Sequence, residues 1–303
     1  MVRKAVDGRK GKEEKEYLAS GDHHPARPPP LLVIDAHVHI YPCFDLSGFL
    51  DAAFSNGLHA ARHFGHDPSY IPVLLLTEGY RQREFHRLRK RMEGGNERIA
   101  DGKNGGYRLF PTEEPESLRI ERTDGSFLFL IAGFQIVTSE QLEVLALSTV
   151  SEIPDGLPLE KTVAAVEKYR AIPVIPWGFG KWFGRRRHVL TEFLASRREG
   201  GFFLGDNGGR PTLLRFPDFG REVPGLSLKV LPGSDALPLP SELKKVGSFG
   251  FTLQEEFTLG RPGESLKRIL LKRGVEPTPF GSHENLYRFA WNQMNLRIWK
   301  HRI

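Results

Sequence analysis

The sequence predicts an α/β fold: a TIM-like (β/α) barrel of seven or eight mostly parallel strands. Three observations lead there. From residue 31 onward, short apolar runs alternate with helical stretches, as in a parallel sheet covered by helices on its outer side. About seven such units fit into roughly 230 residues, which favours closure over an open sheet. The 303 residues are 39% hydrophobic and 26% charged, with no internal repeat and no second core, so one large domain suits them.

Residues 1–30 lack apolar periodicity and end in Pro28-Pro29-Pro30, the composition of a polar, disordered leader running into a stiff proline segment. The leader is expected to be dispensable for folding, and its His23-His24 pair to be solvated. Residues 31–275 form the expected barrel. Leu31 to Ile40 is its first strand and Leu46 to Phe64 its first helix. Ile71 to Leu76 is a strand, followed by a helix from Tyr80 to Met92. The Gly-, Asn-, Asp- and Glu-rich segment 93–126 suits an excursion or a small hairpin. Phe127 to Val137 and Val144 to Leu147 are strand-like. Leu159 to Arg170 is a helix, Ile172 to Ile175 a strand and Val189 to Arg198 a helix. Short strands at Phe202 to Leu204 and Leu228 to Leu231 precede a closing helix at Leu266 to Lys272. In the last segment, 276–303, Tyr287, Ala290, Trp291, Met294 and Ile298 recur at helical spacing among basic and amide residues. They predict an amphipathic helix packed on the barrel; a partner or an anionic membrane surface is the lesser alternative.

Composition excludes several classes of function. The longest strongly apolar stretch, Phe127 to Phe134, is far short of the roughly 20 residues of a membrane-spanning helix. The N-terminus has no apolar core or small-residue cleavage site of a secretory signal. Cys43 is the only cysteine, so an intramolecular disulfide and a cysteine-rich zinc site are ruled out, and a cytoplasmic location is expected. The net charge of +6 is confined to the ends: +2 within residues 1–30, +6 within 261–303, and −2 across the body. A nucleic-acid protein would carry its basic surface on the folded core, so a nucleic-acid partner is not expected.

The chemistry-bearing signal is Val33-Ile34-Asp35-Ala36-His37-Val38-His39-Ile40. Side chains alternate along a strand, which would put Asp35, His37 and His39 on one face. Three ionisable groups there are costly to bury unless something binds them. A divalent metal (zinc, manganese or iron) would do so through the imidazoles, with a carboxylate orienting a histidine; the plainer alternative is a hydrogen-bonded core cluster. A second signal is Leu228-Lys229-Val230-Leu231-Pro232-Gly233-Ser234-Asp235, an apolar strand ending in a small-residue turn and an acid. An aspartate at such a strand end can ligate a metal and take a proton from its bound water, or it can simply cap the following helix.

In this order, the two elements resemble the metal-dependent hydrolase barrels: the amidohydrolases and the PHP (polymerase and histidinol phosphatase) phosphoesterases. In both, a His-x-His ends the first strand and an aspartate follows a late one. The resemblance spans residues 31–250 and implies that His37 and His39 form the first ligand pair and Asp235 the late acid. Gly233-Ser234-Asp235-Ala236 is closer to the PHP form. The chain departs from both families at the middle strands. Ile175-Pro176-Trp177 stands where a PHP protein would show His-Pro, and Leu204-Gly205-Asp206 also lacks a histidine. His59, His63, His66, His86 and His188 fall in predicted helices or loops, so a single metal or a degenerate site is expected.

Other residues should join the same rim. Lys181, between Trp177 and Trp182 in a glycine-rich turn, and Arg210 with Asp206 in another, could hold an anionic substrate group. Lys181 could equally be solvated, and Asp206 could simply pair with Arg210. Glu78 follows the second strand as a further ligand or general base, or as a helix cap. The basic runs His86 to Arg91 and Arg185 to Arg187 suit solvated helix faces. Together these residues predict a metal-dependent hydrolase of a small anionic substrate, foremost a phosphoester. The alternatives are a hydrolase of an amide or lactone, and a non-catalytic binding barrel that has lost its metal.

Overall fold

The computed structural model describes residues 28–300 except 68, 81, 96, 103–104, 198–199 and 227. The expected leader therefore lies outside the described residues up to residue 27, His23-His24 included. The elements run β1 (Leu31–Val38), α1 (Leu46–His63), β2 (Tyr70–Leu76), α2 (Glu84–Glu93), β3 (Arg98–Gly102), β4 (Gly105–Pro111), β5 (Ser117–Arg122) and β6 (Phe127–Ile131). Then come β7 (Gly133–Val137), β8 (Glu143–Leu147), α3 (Leu159–Lys168), β9 (Ile172–Pro176), α4 (Arg185–Ser196), β10 (Phe203–Asn207), α5 (Phe219–Glu222) and β11 (Val230–Gly233). A 3-10 turn (Pro240–Lys245), β12 (Gly250–Gln254), α6 (Pro262–Leu271), β13 (Thr278–Phe280) and α7 (Leu286–Lys300) complete the chain.

The strands do not form the predicted TIM-like barrel. They make two separate mixed sheets, ordered β13-β12-β1-β2-β6-β5-β4-β3 and β11-β10-β9-β8-β7. Among these strands, parallel pairing runs through β1-β2-β6 and β9-β10-β11. Three local features prevent closure. β12, too short to stand out in the sequence, pairs antiparallel with β1 from Leu31–Gln254 to Ile34–Phe251 and occupies the edge a barrel would close on. The 93–126 segment is an antiparallel meander that lengthens the first sheet beyond β6. The run Phe127 to Val137 is broken, with β6 in the first sheet and β7 in the second. At the break, a Cβ on Gly133 would lie 2.5 Å from the Leu76 carbonyl oxygen and 2.7 Å from that of Ala146, so only glycine lets the chain pass between the sheets.

Alternating side chains seal the two sheets together. Leu32, Ile34, Val73 and Ile131 from the first pack against Leu147, Ile172, Val174 and Phe203 from the second, and each such side chain contributes about 1.5–3 kcal/mol by leaving water. α1 covers the outer face of the first sheet through Phe49, Leu50, Ala53 and Phe54. Their spacing makes one apolar stripe, and Asp45 caps the helix by accepting the Gly48 N–H at 2.8 Å. α3 and α4 cover the second sheet through Val163, Val166, Leu190 and Leu194.

α7 forms as a helix, but the stripe expected to pack inward does not. Tyr287, Trp291 and Met294 are 79%, 53% and 55% exposed. The buried side carries Asn292, whose amide donates to Glu242 Oε1 at 3.2 Å and Glu284 Oε1 at 3.3 Å. Buried carboxylates that need donors set the rotation of this helix more strongly than its apolar residues do. No helix among the described residues is long and apolar enough to cross a membrane.

Candidate metal centre

The site begins with an irregularity in β1. Its parallel register with β2 is regular from Leu31–Tyr70 to Asp35–Leu74, then shifts before Val38–Leu76. A one-residue shift sends the following side chains to opposite faces. Leu31 and Val33 pack beneath α1 against Ala60 and Ala61, and Asp35 follows their alternation. Its carboxylate accepts the backbone N–H groups of Ser234 (2.8 Å), Gly247 (2.9 Å) and His37 (3.2 Å). Asp35 is thus a brace between β1 and two loops, not a member of the histidine cluster that strict alternation predicted. Burial pushes its carboxyl up to about 6, against the pull of those N–H groups.

Beyond the shift, Val38 and Ile40 face the α1 core, and His37 and His39 turn the other way, towards the end of β11. There a Cβ on Gly233 would lie 2.3 Å from the His37 backbone nitrogen, so glycine is required for the two strands to meet. Asp235 follows in the left-handed region with φ of 43°, a conformation aspartate tolerates better than most residues. Its N–H donates to the His37 carbonyl oxygen at 2.8 Å.

Three potential ligand atoms converge as a result. His37 Nε2 and His39 Nε2 are 3.1 Å apart, and Asp235 Oδ1 lies 3.5 Å from the first and 3.6 Å from the second. With bonds of roughly 2.0–2.2 Å, the edges of a tetrahedral zinc site are about 3.3–3.6 Å; the two Asp235 separations match that range, and the two histidine nitrogens sit slightly closer. Among the described residues, this is the group of three or more potential ligands close enough to share an ion. Burial lowers the His37 imidazole to about 4, despite the opposing pull of Asp235; near neutral pH it is uncharged, as ligation demands. Burial alone would raise Asp235, but His37, His39 and Lys245 outweigh it and hold the carboxyl below the usual range. Asn207 donates its side-chain amide to Asp235 Oδ2, which leaves Oδ1 facing the histidines. His39 Nδ1 is buried without a hydrogen-bond partner, and its ring stacks on Tyr41 with centroids 5.1 Å apart.

Several partners escaped the sequence reading. Gln135 Oε1 lies 3.1 Å from His37 Nε2, while its amide nitrogen donates to Glu143 Oε1 at 2.8 Å. The one available signal was a polar residue inside an apolar run. Lys181 lies in the wall of the adjoining cavity, and its ammonium pairs with Glu143. A cavity of about 330 Å³ opens above the cluster, with His39, Asp235, Asn207, Gln135 and Lys181 in its wall.

Other candidates are not brought together with the histidines. Glu78 accepts the Phe85 N–H at 3.0 Å, capping α2, and lines a different cavity with Arg83 and Phe134. Burial raises its carboxyl. Arg210 and Asp206 pair bidentately at 2.7 Å in each bond, and His283 Nε2 lies 2.9 Å from Asp206 Oδ2. Both are buried, their charges directed at each other and not at the cavity.

No family model and no curated protein matches the chain. Among solved structures, it is similar to PsfC from Pseudomonas syringae PB-5123, with 14% identity over 88% of this chain and 99% of that one and a TM-score of 0.49. It is also similar to the lesion-specific endonuclease PfuEndoQ from Pyrococcus furiosus: 13% identity, 82% of this chain, 57% of that chain, TM-score 0.46. A two-domain Bacteroides vulgatus protein, described as containing a predicted PHP-like metal-dependent phosphoesterase, matches at 13% identity over 84% of this chain and 65% of that one, with a TM-score of 0.42. The chain thus spans less than two thirds of the latter two, and at these identities the likeness concerns the fold alone.

Proposed function

We propose that the protein is a metal-dependent hydrolase of a phosphoester, using one divalent cation held by His37, His39 and Asp235. The observation that carries this reading is the convergence of His37 Nε2, His39 Nε2 and Asp235 Oδ1 at 3.1–3.6 Å from one another, with His39 and Asp235 in the wall of a cavity. When bound, the cation supplies Lewis-acid polarisation and a water activated near neutral pH.

The chain's own groups do the rest. Asp235 stays ionised and can accept a hydrogen bond from the attacking water, while Asn207 fixes its orientation. Lys181 brings positive charge to the cavity and favours an anionic phosphoryl group, with Glu143 holding its ammonium in place. Gln135 links that ion pair to His37.

The test is elemental analysis of protein purified without chelator, followed by assays with zinc, manganese or iron(II). Roughly one ion per chain and turnover of p-nitrophenyl phosphate or its diester are expected. Turnover only of amides or lactones would move the assignment to those substrates. A wild type that takes up no metal yet binds phosphate would leave a binding protein without catalysis.

A further inference from the structure

The metal-site cavity has polar groups around the candidate metal ligands and a cluster of aromatic and aliphatic groups elsewhere in its wall. His39 and Asn207 are 5% and 8% exposed, whereas Phe179 on the same wall is 54% exposed. Leu237, Pro238, Phe289 and Leu296 continue the apolar lining. Phe179 and Phe289 meet edge to face, with centroids 5.0 Å apart and planes at 70°. Phe289, Asn292, Gln293 and Leu296 form one face of α7, so the C-terminal helix is itself a wall of the cavity. Buried charge holds this wall in place: Asn292 is gripped by Glu242 and Glu284, and Arg288 pairs with Glu242 at 3.0 Å. At about 330 Å³ the cavity is at the small end of the 300–1,000 Å³ range for small-molecule sites.

We infer that the substrate is a small phosphoester whose organic part is an apolar, ring-sized group, with Phe289 and Leu296 of the C-terminal helix as specificity-determining residues. This rests on the phosphoester reading above. With the phosphoryl group beside His39 and Asp235, the ester substituent is free to meet the apolar cluster of Phe179, Phe289 and Leu296. A ring there exchanges water for aromatic edges and aliphatic carbon, whereas a methyl group reaches none of them.

The test uses the full-length, metal-loaded protein with phenylphosphonate and methylphosphonate, which cannot be hydrolysed, measured by calorimetry beside turnover of phenyl and methyl phosphate. Phenylphosphonate should bind at least about tenfold more tightly, the discrimination a hydrophobic pocket gives for a group of this kind. Phe289→Ala and Leu296→Ala should cut that ratio about fivefold or more, with retained metal content as the check on folding. Equal binding of the two phosphonates by the wild type overturns the inference and leaves the hydrolase reading intact. So does preferential hydrolysis of an oligonucleotide over phenyl phosphate. Tight phenylphosphonate binding without turnover of either ester supports the cavity's selectivity and sinks the hydrolase reading. Binding of neither phosphonate overturns the inference, and the hydrolase reading then falls only if the p-nitrophenyl diester is not turned over either.

Discussion

The backbone N–H of Asp235 donates to the carbonyl oxygen of His37 at 2.8 Å, and the Asp235 side-chain Oδ1 lies 3.5 Å from Nε2 of the same histidine. Two candidate ligands 198 residues apart in the sequence are thus joined through the main chain as well as through their side chains. Asp35 reinforces the junction by holding the Ser234 N–H. A ligand set fixed in this way pays little ordering entropy when a cation arrives.

Removing a ligand should release the metal. His37→Ala takes away one nitrogen. Asp235→Asn removes the charge but keeps a residue that tolerates the left-handed backbone, so it tests chemistry and not folding. Each should lower metal affinity by at least about 100-fold, beyond the 10–100-fold typical of outer-shell partners, and abolish phosphoester turnover. Competition titration against a chelator measures it; undiminished affinity in either variant would remove that residue from the ligand set.

Asn207→Ala should act more mildly. It loses the donor that turns Asp235 Oδ2 away from the histidines, so metal affinity should fall about 10–100-fold while one ion per chain still binds at saturation. The same titration read at high metal concentration separates this effect from loss of a ligand.

Gly233→Ala should damage the fold as well as the site. The new methyl would sit 2.3 Å from the His37 nitrogen, forcing β11 away from β1 at a cost of about 1–3 kcal/mol, as for other overpacked positions. Urea denaturation should show the loss of stability, and metal affinity should fall with it.

Acid should act on the metal-free protein through two opposing groups. His37 falls from its ordinary 6.5 to about 4 on folding, so between those values the unfolded chain binds the extra proton and stability declines as pH drops. Asp35 rises from 3.8 to about 6, so between those values the folded chain binds the proton and stability grows as pH drops. The two largely cancel from pH 6 to 4. His37→Gln removes the first, and the variant should gain about 3 kcal/mol relative to wild type over that interval, at about 1.4 kcal/mol per pKa unit. Denaturation curves with chelator present check this; parallel pH slopes for the two proteins would contradict it.

Lys245→Met should be among the more damaging single changes away from the metal. Lys245 lies 3.2 Å from Glu242 and 2.8 Å from Glu284, both almost fully buried. Its removal leaves two buried carboxylates sharing only the half-exposed Arg288, 3.0 Å from Glu242 and 3.4 Å from Glu284, a loss of up to about 3–5 kcal/mol. Restored stability in Lys245→Met combined with Glu242→Gln and Glu284→Gln would trace the effect to the stranded charges.

The candidate ligands and most of the elements around them are legible in the sequence alone. His37 and His39 two residues apart, and Asp235 after a small-residue turn, were legible because ionisable groups at the ends of apolar strands are costly without a ligand. α1 and β2 were equally plain from periodicity. The tertiary structure alone decided how the strands assemble. Pairing is a long-range choice, and nothing local in Gly250–Gln254 says that it will lie antiparallel to β1 and keep a barrel from closing. It also decided which way side chains face. The register shift after Asp35 converts a presumed partner of the histidines into a backbone brace. Glu242, 50 residues before Asn292, and Glu284, just ahead of α7, turn Asn292 inward and Trp291 outward. Each reversal has one cause: a buried polar group satisfies its hydrogen bonds first, and the alternation of nearby side chains yields to it.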